Sequence, residues 1–186
     1  MPAPRRTQIL DTAAELFAAR GFHGVSVHDI GAACGISGPA IYKHFAGKDA
    51  ILAESLTSIS ERHVAEARAR TGEHPDPDTA LDALIAWHID FALEHRALIV
   101  IQEREWGNLP AADREAVRRL QLEYIDAWVE VVRRLRDDLG PAEARAAVQA
   151  TFGLLNSTPH SARISADSMR ALLAPMARAA LLGPGG

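Results

Sequence analysis

The sequence predicts an all-α fold, and three observations carry that expectation. Alanine, leucine, arginine and glutamate dominate, while β-branched residues come in short, scattered groups, a mix that favours helices over strands. Apolar residues recur at spacings of three and four along most of the chain. Turns bearing glycine and proline punctuate those stretches,. No stretch reads as a strand, and there is no internal repeat or low-complexity tract.

The bulk properties narrow the class. A chain of 186 residues suits one or two compact domains and can bury a sizeable core without staples. With 48% apolar residues, disorder is not expected. The single cysteine, Cys34, excludes an internal disulfide and a multi-cysteine metal site, and points to a reducing, cytoplasmic compartment. No apolar run approaches twenty residues, so no spanning helix and no membrane partner are expected. The N-terminus lacks an apolar core after its charges, so it does not read as a secretory signal. The formal net charge is −4. Even before residue 56 the charges balance, with Arg5, Arg6, Arg20, Lys43 and Lys48 against Asp11, Glu15, Asp29, Asp49 and Glu54. Any contact with nucleic acid must therefore come from local placement.

The elements follow in order. From Arg5 to about Ala19, Ile9, Ala13, Leu16 and Phe17 mark a helix that Gly21 ends. Ser26 caps a second, short helix, with Asp29 three residues on as in a capping box, and Gly35 stops it. Ser37 caps a third, expected to run to about Phe45 with Pro39 in its first turn. A longer helix opens at Lys48 and ends near Gly72, with Ile51, Leu52, Ser55, Leu56 and Ile59 inward. Pro75 and Pro77 are expected to lie in a linker. Further helices are expected over Thr79–Glu94, Ala97–Trp106, Pro110–Leu139, Pro141–Ala162 and Asp167–Leu182.

The informative stretch is Ser26 to Lys48. Two short capped helices joined by Cys34-Gly35-Ile36-Ser37 make a helix-turn-helix, in which the second helix enters the major groove of DNA. Ala32, Ala33 and Ile36 let the helices pack closely. Ser37, Gly38 and Ala40 are small, so the start of the second helix can approach base edges. Tyr42, Lys43 and His44 offer polar tips. Lys43 is the candidate for a guanine contact, while Tyr42, His44 and Lys48 suit phosphates. From spacing alone, a plain helical corner with two good caps remains the competing reading.

Residues 9–56 resemble the N-terminal domain of the TetR (tetracycline-repressor-like) family. The resemblance lies in Ile9-Leu10-Asp11-Thr12-Ala13-Ala14-Glu15-Leu16-Phe17, Arg20-Gly21-Phe22, Ser26-Val27-His28-Asp29-Ile30, Ala33-Cys34-Gly35-Ile36-Ser37, Ile41-Tyr42-Lys43-His44-Phe45 and Lys48-Asp49-Ala50-Ile51-Leu52. It implies a three-helix helix-turn-helix domain over residues 1–50 and a helical ligand-binding and dimerisation domain over 51–186. It makes Ser37 to Phe45 the recognition helix, with Ser26, Val27, Tyr42, His44 and Lys48 at backbone-contacting positions and Ile41 and Phe45 buried. The DNA-binding set is thus Arg5, Arg6, Ser26, Val27, Ser37, Gly38, Pro39, Ala40, Tyr42, Lys43, His44 and Lys48. Family members often carry a second polar residue where Gly38 or Ala40 stands here. Base readout is therefore expected to rest on Lys43, on the Arg5–Arg6 arm and on DNA shape.

The resemblance further implies a homodimer through helices near 141–162 and 167–182, matched to palindromic operator DNA. Val148, Phe152, Leu155, Leu172, Leu173, Met176 and Leu181 suit that packing, though each serves equally as internal core. The candidate ligand-binding residues are Trp87, His88, Phe91, Glu103, Trp106, Tyr124, Trp128, Phe152, Asn156 and His160. Aromatic stripes and a lone histidine such as His88 are more often plain core. Glu103, Arg104 and Glu105 read first as a solvated face. Pro159 favours a kink near Asn156 and His160, which reads as a ligand head-group site or an interfacial hydrogen-bond network. Phe152 with Leu154-Leu155-Asn156 weakly resembles regulators of fatty-acid and acyl-CoA metabolism. That implies a repressor released by a small apolar effector such as a fatty acyl or acyl-CoA compound. A flat aromatic ligand of the multidrug type fits Trp87, Trp106 and Trp128 nearly as well. The rival from another class is a helical enzyme. None of the eight histidines falls in a spacing such as H-E-x-x-H, and no phosphate loop or nucleophile elbow is present. No catalytic residue, metal or cofactor is therefore expected.

Overall fold

The computed structural model describes residues 4–183 and is all-α, with no strand among them. Ten helices follow one another. They are α1 (Arg5–Arg20), α2 (Val27–Ala33), α3 (Gly38–Ile41), α4 (Lys48–Glu73), α5 (Pro77–Glu94), α6 (Arg96–Arg104), α7 (Ala111–Leu135), α8 (Pro141–Leu155), α9 (Thr158–Ser161) and α10 (Ala166–Leu182). A 3-10 turn, Trp106–Asn108, separates α6 from α7.

Two compact units result, and they are not the expected 1–50 and 51–186. The first comprises residues up to Ser60 with Ala97–Arg118; the second comprises Glu61–Arg96 with the residues from Arg119 onward. Helices α4 and α7 each continue from one unit into the other. Residues 97–118 fall with the first unit because Ala97, Ile101, Leu109 and Val117 join one buried cluster with Ile9, Phe17, Ile41, Phe45 and Leu52. Local periodicity carries no trace of that pairing.

In the first unit, Ser26 caps α2. Its hydroxyl accepts from the Asp29 backbone N–H at 3.1 Å, and its own N–H donates to the Asp29 carboxylate at 2.8 Å. Gly35 makes the turn with φ of +69°, a conformation only glycine adopts freely. Helices α2 and α3 cross closely because Gly31 has no side chain. A Cβ there would lie 3.0 Å from both the Gly38 nitrogen and the Ile36 carbonyl oxygen. The third helix is shorter than expected, ending at Ile41. The Lys43 and His44 amides reach back only three residues, to Ala40 and Ile41, before the Phe45 amide returns to Ile41 at 3.0 Å. Tyr42 to His44 are thus a tightened turn at the end of the recognition segment.

In the second unit α5, α8 and α10 pack together, and α9 lies on α5. Leu81, Leu84, Ile85, Ile89, Val148, Leu155, Leu173, Ala177 and Leu181 are buried. Pro77 opens α5 rather than lying in a linker, because a first-turn residue needs no N–H. Asp76 caps that turn, accepting from the Thr79 backbone N–H at 2.9 Å and from its hydroxyl at 2.7 Å. The single helix expected over 141–162 is broken. Asn156 ends α8, and Pro159 sits in the first turn of α9, where its ring is tolerated.

The α2–α3 crossing gives a stability prediction. Gly31→Val presses a branched side chain against backbone that cannot yield. It should cost roughly 1–3 kcal/mol, read as a lower urea midpoint with unchanged slope.

Candidate functional site

The first unit presents the expected reading surface. Ile41 and Phe45 are buried and anchor the recognition segment. Between them Tyr42 is 60% exposed, and Lys43 is exposed while His44 is half-buried. Ser37 and Pro39 are exposed and Ala40 is half-buried. Gly38, expected to let the helix approach base edges, is instead buried. A Cβ on it would lie 3.3 Å from the His28 backbone, so its smallness serves the packing of α3 on α2. An open groove beside this surface is lined by His23, Ser26, Val27, His28, Tyr42 and Lys48, among others.

Three of the expected cations are occupied within the chain. The Arg6 guanidinium pairs with the Glu54 carboxylate, donates to the His44 carbonyl and lies 4.2 Å over the Phe45 ring. Lys48 Nζ donates to the Phe22 and Val25 carbonyls at 2.9 and 3.1 Å and lies 4.3 Å over the Phe22 ring. Arg5 donates to Gln8 at 2.6 Å and to the Cys34 carbonyl at 3.3 Å. Ser26 is held by its cap, and its donation keeps the Asp29 carboxylate below the usual range.

The second unit gathers most of the expected ligand residues into one aromatic cluster. His88 is buried and hydrogen-bonded at both nitrogens: Nδ1 to the Tyr124 hydroxyl and Nε2 to Asn156 Oδ1, each at 3.0 Å. The Phe152 ring stacks on His88 at 4.8 Å, and Trp128 stands at 90° to both. Trp87 and Phe91 complete the cluster. Burial pushes the His88 imidazole down to about 4 and raises the Tyr124 phenol, so the cluster is uncharged near neutral pH.

Three expected members lie elsewhere. Glu103 is exposed on α6, and Trp106 packs against the core of the first unit. Their sequence neighbourhood belongs to that unit, which periodicity did not reveal. His160 is exposed on α9, because the break after Leu155 takes it off the helical face it was expected to share with Asn156. Glu105, read as part of a solvated face, is buried and accepts from Asn108 at 2.7 Å. One member was missed. His63, 9% exposed, stacks 4.8 Å from Tyr124 and 5.8 Å from His88. The signal was present: His63 continues the Leu52, Leu56, Ile59 stripe of α4 at helical spacing. Burial and the neighbouring His88 hold its imidazole well below the ordinary histidine range. Among the described residues no cluster of three metal-ligating side chains occurs, and no helix is long and apolar enough to cross a membrane.

Residues 9–55 match the family model described as bacterial regulatory proteins of the tetR family, and residues 74–160 match a tetracyclin-repressor-like C-terminal domain. The chain belongs to the TetR family. It is a DNA-binding transcription regulator, not an enzyme. This TetR-family chain is 28% identical to the HTH-type transcriptional repressor KstR2 of Rhodococcus jostii, over 83% of its own length and 76% of that protein's. Its fold matches a TetR-family transcriptional regulator of Bordetella parapertussis with a TM-score of 0.85 at 26% identity, covering 96% of this chain and 94% of the other. The regulator FadR of Bacillus subtilis, solved in complex with stearoyl-CoA, shares the fold at a TM-score of 0.75 and 17% identity, covering 96% and 98%.

The buried imidazole makes stability depend on pH. Unfolded, His88 titrates near 6.5; folded, it titrates at about 4. Between those values the unfolded chain holds the extra proton. Stability is therefore complete above pH 6.5 and falls as the pH drops towards 4, by about 3 kcal/mol from His88. His63 acts in the same direction. Urea midpoints should show this loss. His88→Phe should lower the plateau, since Tyr124 and Asn156 lose their partner, but flatten the slope.

Proposed function

We propose that the chain is a homodimeric repressor of palindromic operator DNA, released by a small, largely apolar effector bound in the aromatic cluster of the second unit. The observation that carries the DNA half is the exposure of Tyr42 and Lys43 on a segment pinned by buried Ile41 and Phe45. Lys43 reads a base edge, while Tyr42, Ser37, Pro39 and His44 meet the backbone. Arg6 and Lys48 act mainly by fixing the segment, because their donors are already engaged.

Dimerisation through α8 and α10 is supported by what those helices leave uncovered. Along α10 Leu172 is 49% and Met176 43% exposed, flanked by exposed Pro175 and Ala179, while α8 exposes Ala142, Ala146, Ala150 and Gly153. Small and apolar residues on two packed helices suit a twofold helical interface. An effector acts by favouring one of two conformations, which requires different affinities for them. Helix α4 carries both Lys48 and His63 and gives such a difference a covalent route. A fatty acyl or acyl-CoA compound is the first reading of the effector. The near-parallel rings of the cluster favour a flat aromatic or polycyclic skeleton as the second.

A mobility shift on the DNA upstream of the chain's own gene tests this reading. Lys43→Ala should lose roughly 1–3 kcal/mol of discrimination at one base position. Arg6→Ala should weaken binding without lowering its salt dependence, since no phosphate contact is removed. Leu172→Glu combined with Met176→Glu should sediment as a monomer and lose the operator; a dimer with full affinity would refute the interface.

A further inference from the structure

The aromatic cluster holds two kinds of polar atom. Those of the Tyr124–His88–Asn156 chain satisfy one another. Asn156 Oδ1 can only accept, so His88 carries its proton on Nε2 and takes the Tyr124 hydroxyl on Nδ1,. Two further buried nitrogens, His63 Nε2 and Trp128 Nε1, have no hydrogen-bond partner. The Trp128 indole stands close enough to the Tyr124 oxygen to favour its ionisation as a hydrogen-bond donor would, but the geometry falls short of a formed hydrogen bond.

Resting on the second effector reading above, we infer that Trp128 Nε1, with His63 Nε2 as a further orphan of the same cluster, recognises an uncharged oxygen acceptor, a carbonyl or hydroxyl, carried on a flat hydrocarbon frame. The acceptor follows from the indole, whose N–H can only donate. Leaving such a donor buried and unpaired costs more than an ordinary hydrogen bond returns, so an acceptor delivered there gains that difference. The absence of charge follows from the surroundings. No ionised side chain belongs to the ring cluster. The Arg70 guanidinium, 5.5 Å from the Trp87 ring, is paired with Glu66. A carboxylate brought in would be buried without a counter-ion. The flat frame follows from the rings. His63 lies 12° from His88 and 26° from Tyr124, and Phe152 lies 16° and 18° from those two. Four faces of nearly one orientation favour a guest that stacks in the same plane.

The test uses the full-length protein labelled with 15N at its three indoles, with the Trp128 signal assigned through Trp128→Phe. The probes share one tricyclic frame: 9-fluorenone, fluorene and fluorene-9-carboxylate. We expect 9-fluorenone to shift the Trp128 N–H downfield and to bind about tenfold more tightly than fluorene, the worth of one hydrogen bond to a buried donor. The carboxylate should bind more weakly than the ketone. Trp128→Phe should erase the preference for ketone over hydrocarbon while leaving fluorene binding in place, and His63→Phe should reduce it. Equal binding of ketone and hydrocarbon, tighter binding of the carboxylate, or no Trp128 shift with any probe would each overturn the inference. The wild-type comparison decides the matter even if a variant does not fold. Operator binding by the same preparation is scored separately. A silent indole spectrum in a protein that shifts DNA removes this inference alone, whereas loss of the DNA shift removes the regulator reading.

Discussion

A helix of four residues cannot hold itself in place, since a single turn fixes many dihedral angles for very few hydrogen bonds. The Gly38–Ile41 helix therefore depends on what grips it. Gly31 lets α2 approach until the backbones nearly touch. Ile41 and Phe45 sink into the core of the first unit. The Arg6 guanidinium then ties the His44 carbonyl and the Phe45 ring to Glu54 on α4. Lys48 does the same for the turn before α2. With those restraints Tyr42 and Lys43 stand out from a fixed base, and the segment can act as a reader at all.

The second unit solves a different problem, which is how to keep polar side chains inside a helical core. His88 uses both ring nitrogens and stays neutral, so it avoids the cost of an isolated buried charge. The rings around it contribute face and edge contacts. Exposed arginine–aspartate pairs hold α10 to α5, with Arg170 on Asp90 and Arg178 on Asp78 and Asp82. Those pairs add little energy at the surface, but they set the register of α10, leaving Leu172 and Met176 facing out.

Much of this was legible in the sequence because it is local. The Ser26–Asp29 cap, the Gly35 turn and the long α4 follow from residues a few places apart, and the burial of Ile41 and Phe45 is what the family resemblance implies. The failures are non-local. Nothing near Ala97 signals that α6 joins the core built by α1 and α4, so the sequence groups Trp106 and Glu103 with side chains that the structure holds in the other unit. The fate of Arg6 depends on Glu54, forty-eight positions away, so a free cation was expected where a clamp exists. The sequence places Pro77 in a linker and a kink at Pro159, although a proline begins a helix as readily as it ends one. The apolar stripe of α4 marks His63 as inward-facing, but the rings it meets lie on other helices, beyond the reach of local spacing.

The occupied state of Arg6 and Lys48 has a consequence for the search along a chromosome. Attraction to arbitrary DNA grows with the number of side-chain cations that meet phosphates and displace the DNA's counterions, and here Arg6 and Lys48 are engaged within a chain of net charge −4. Random sequence therefore holds the protein only loosely. Since a genome offers a vast excess of wrong sites, weak retention by them matters as much as strong retention by the right one.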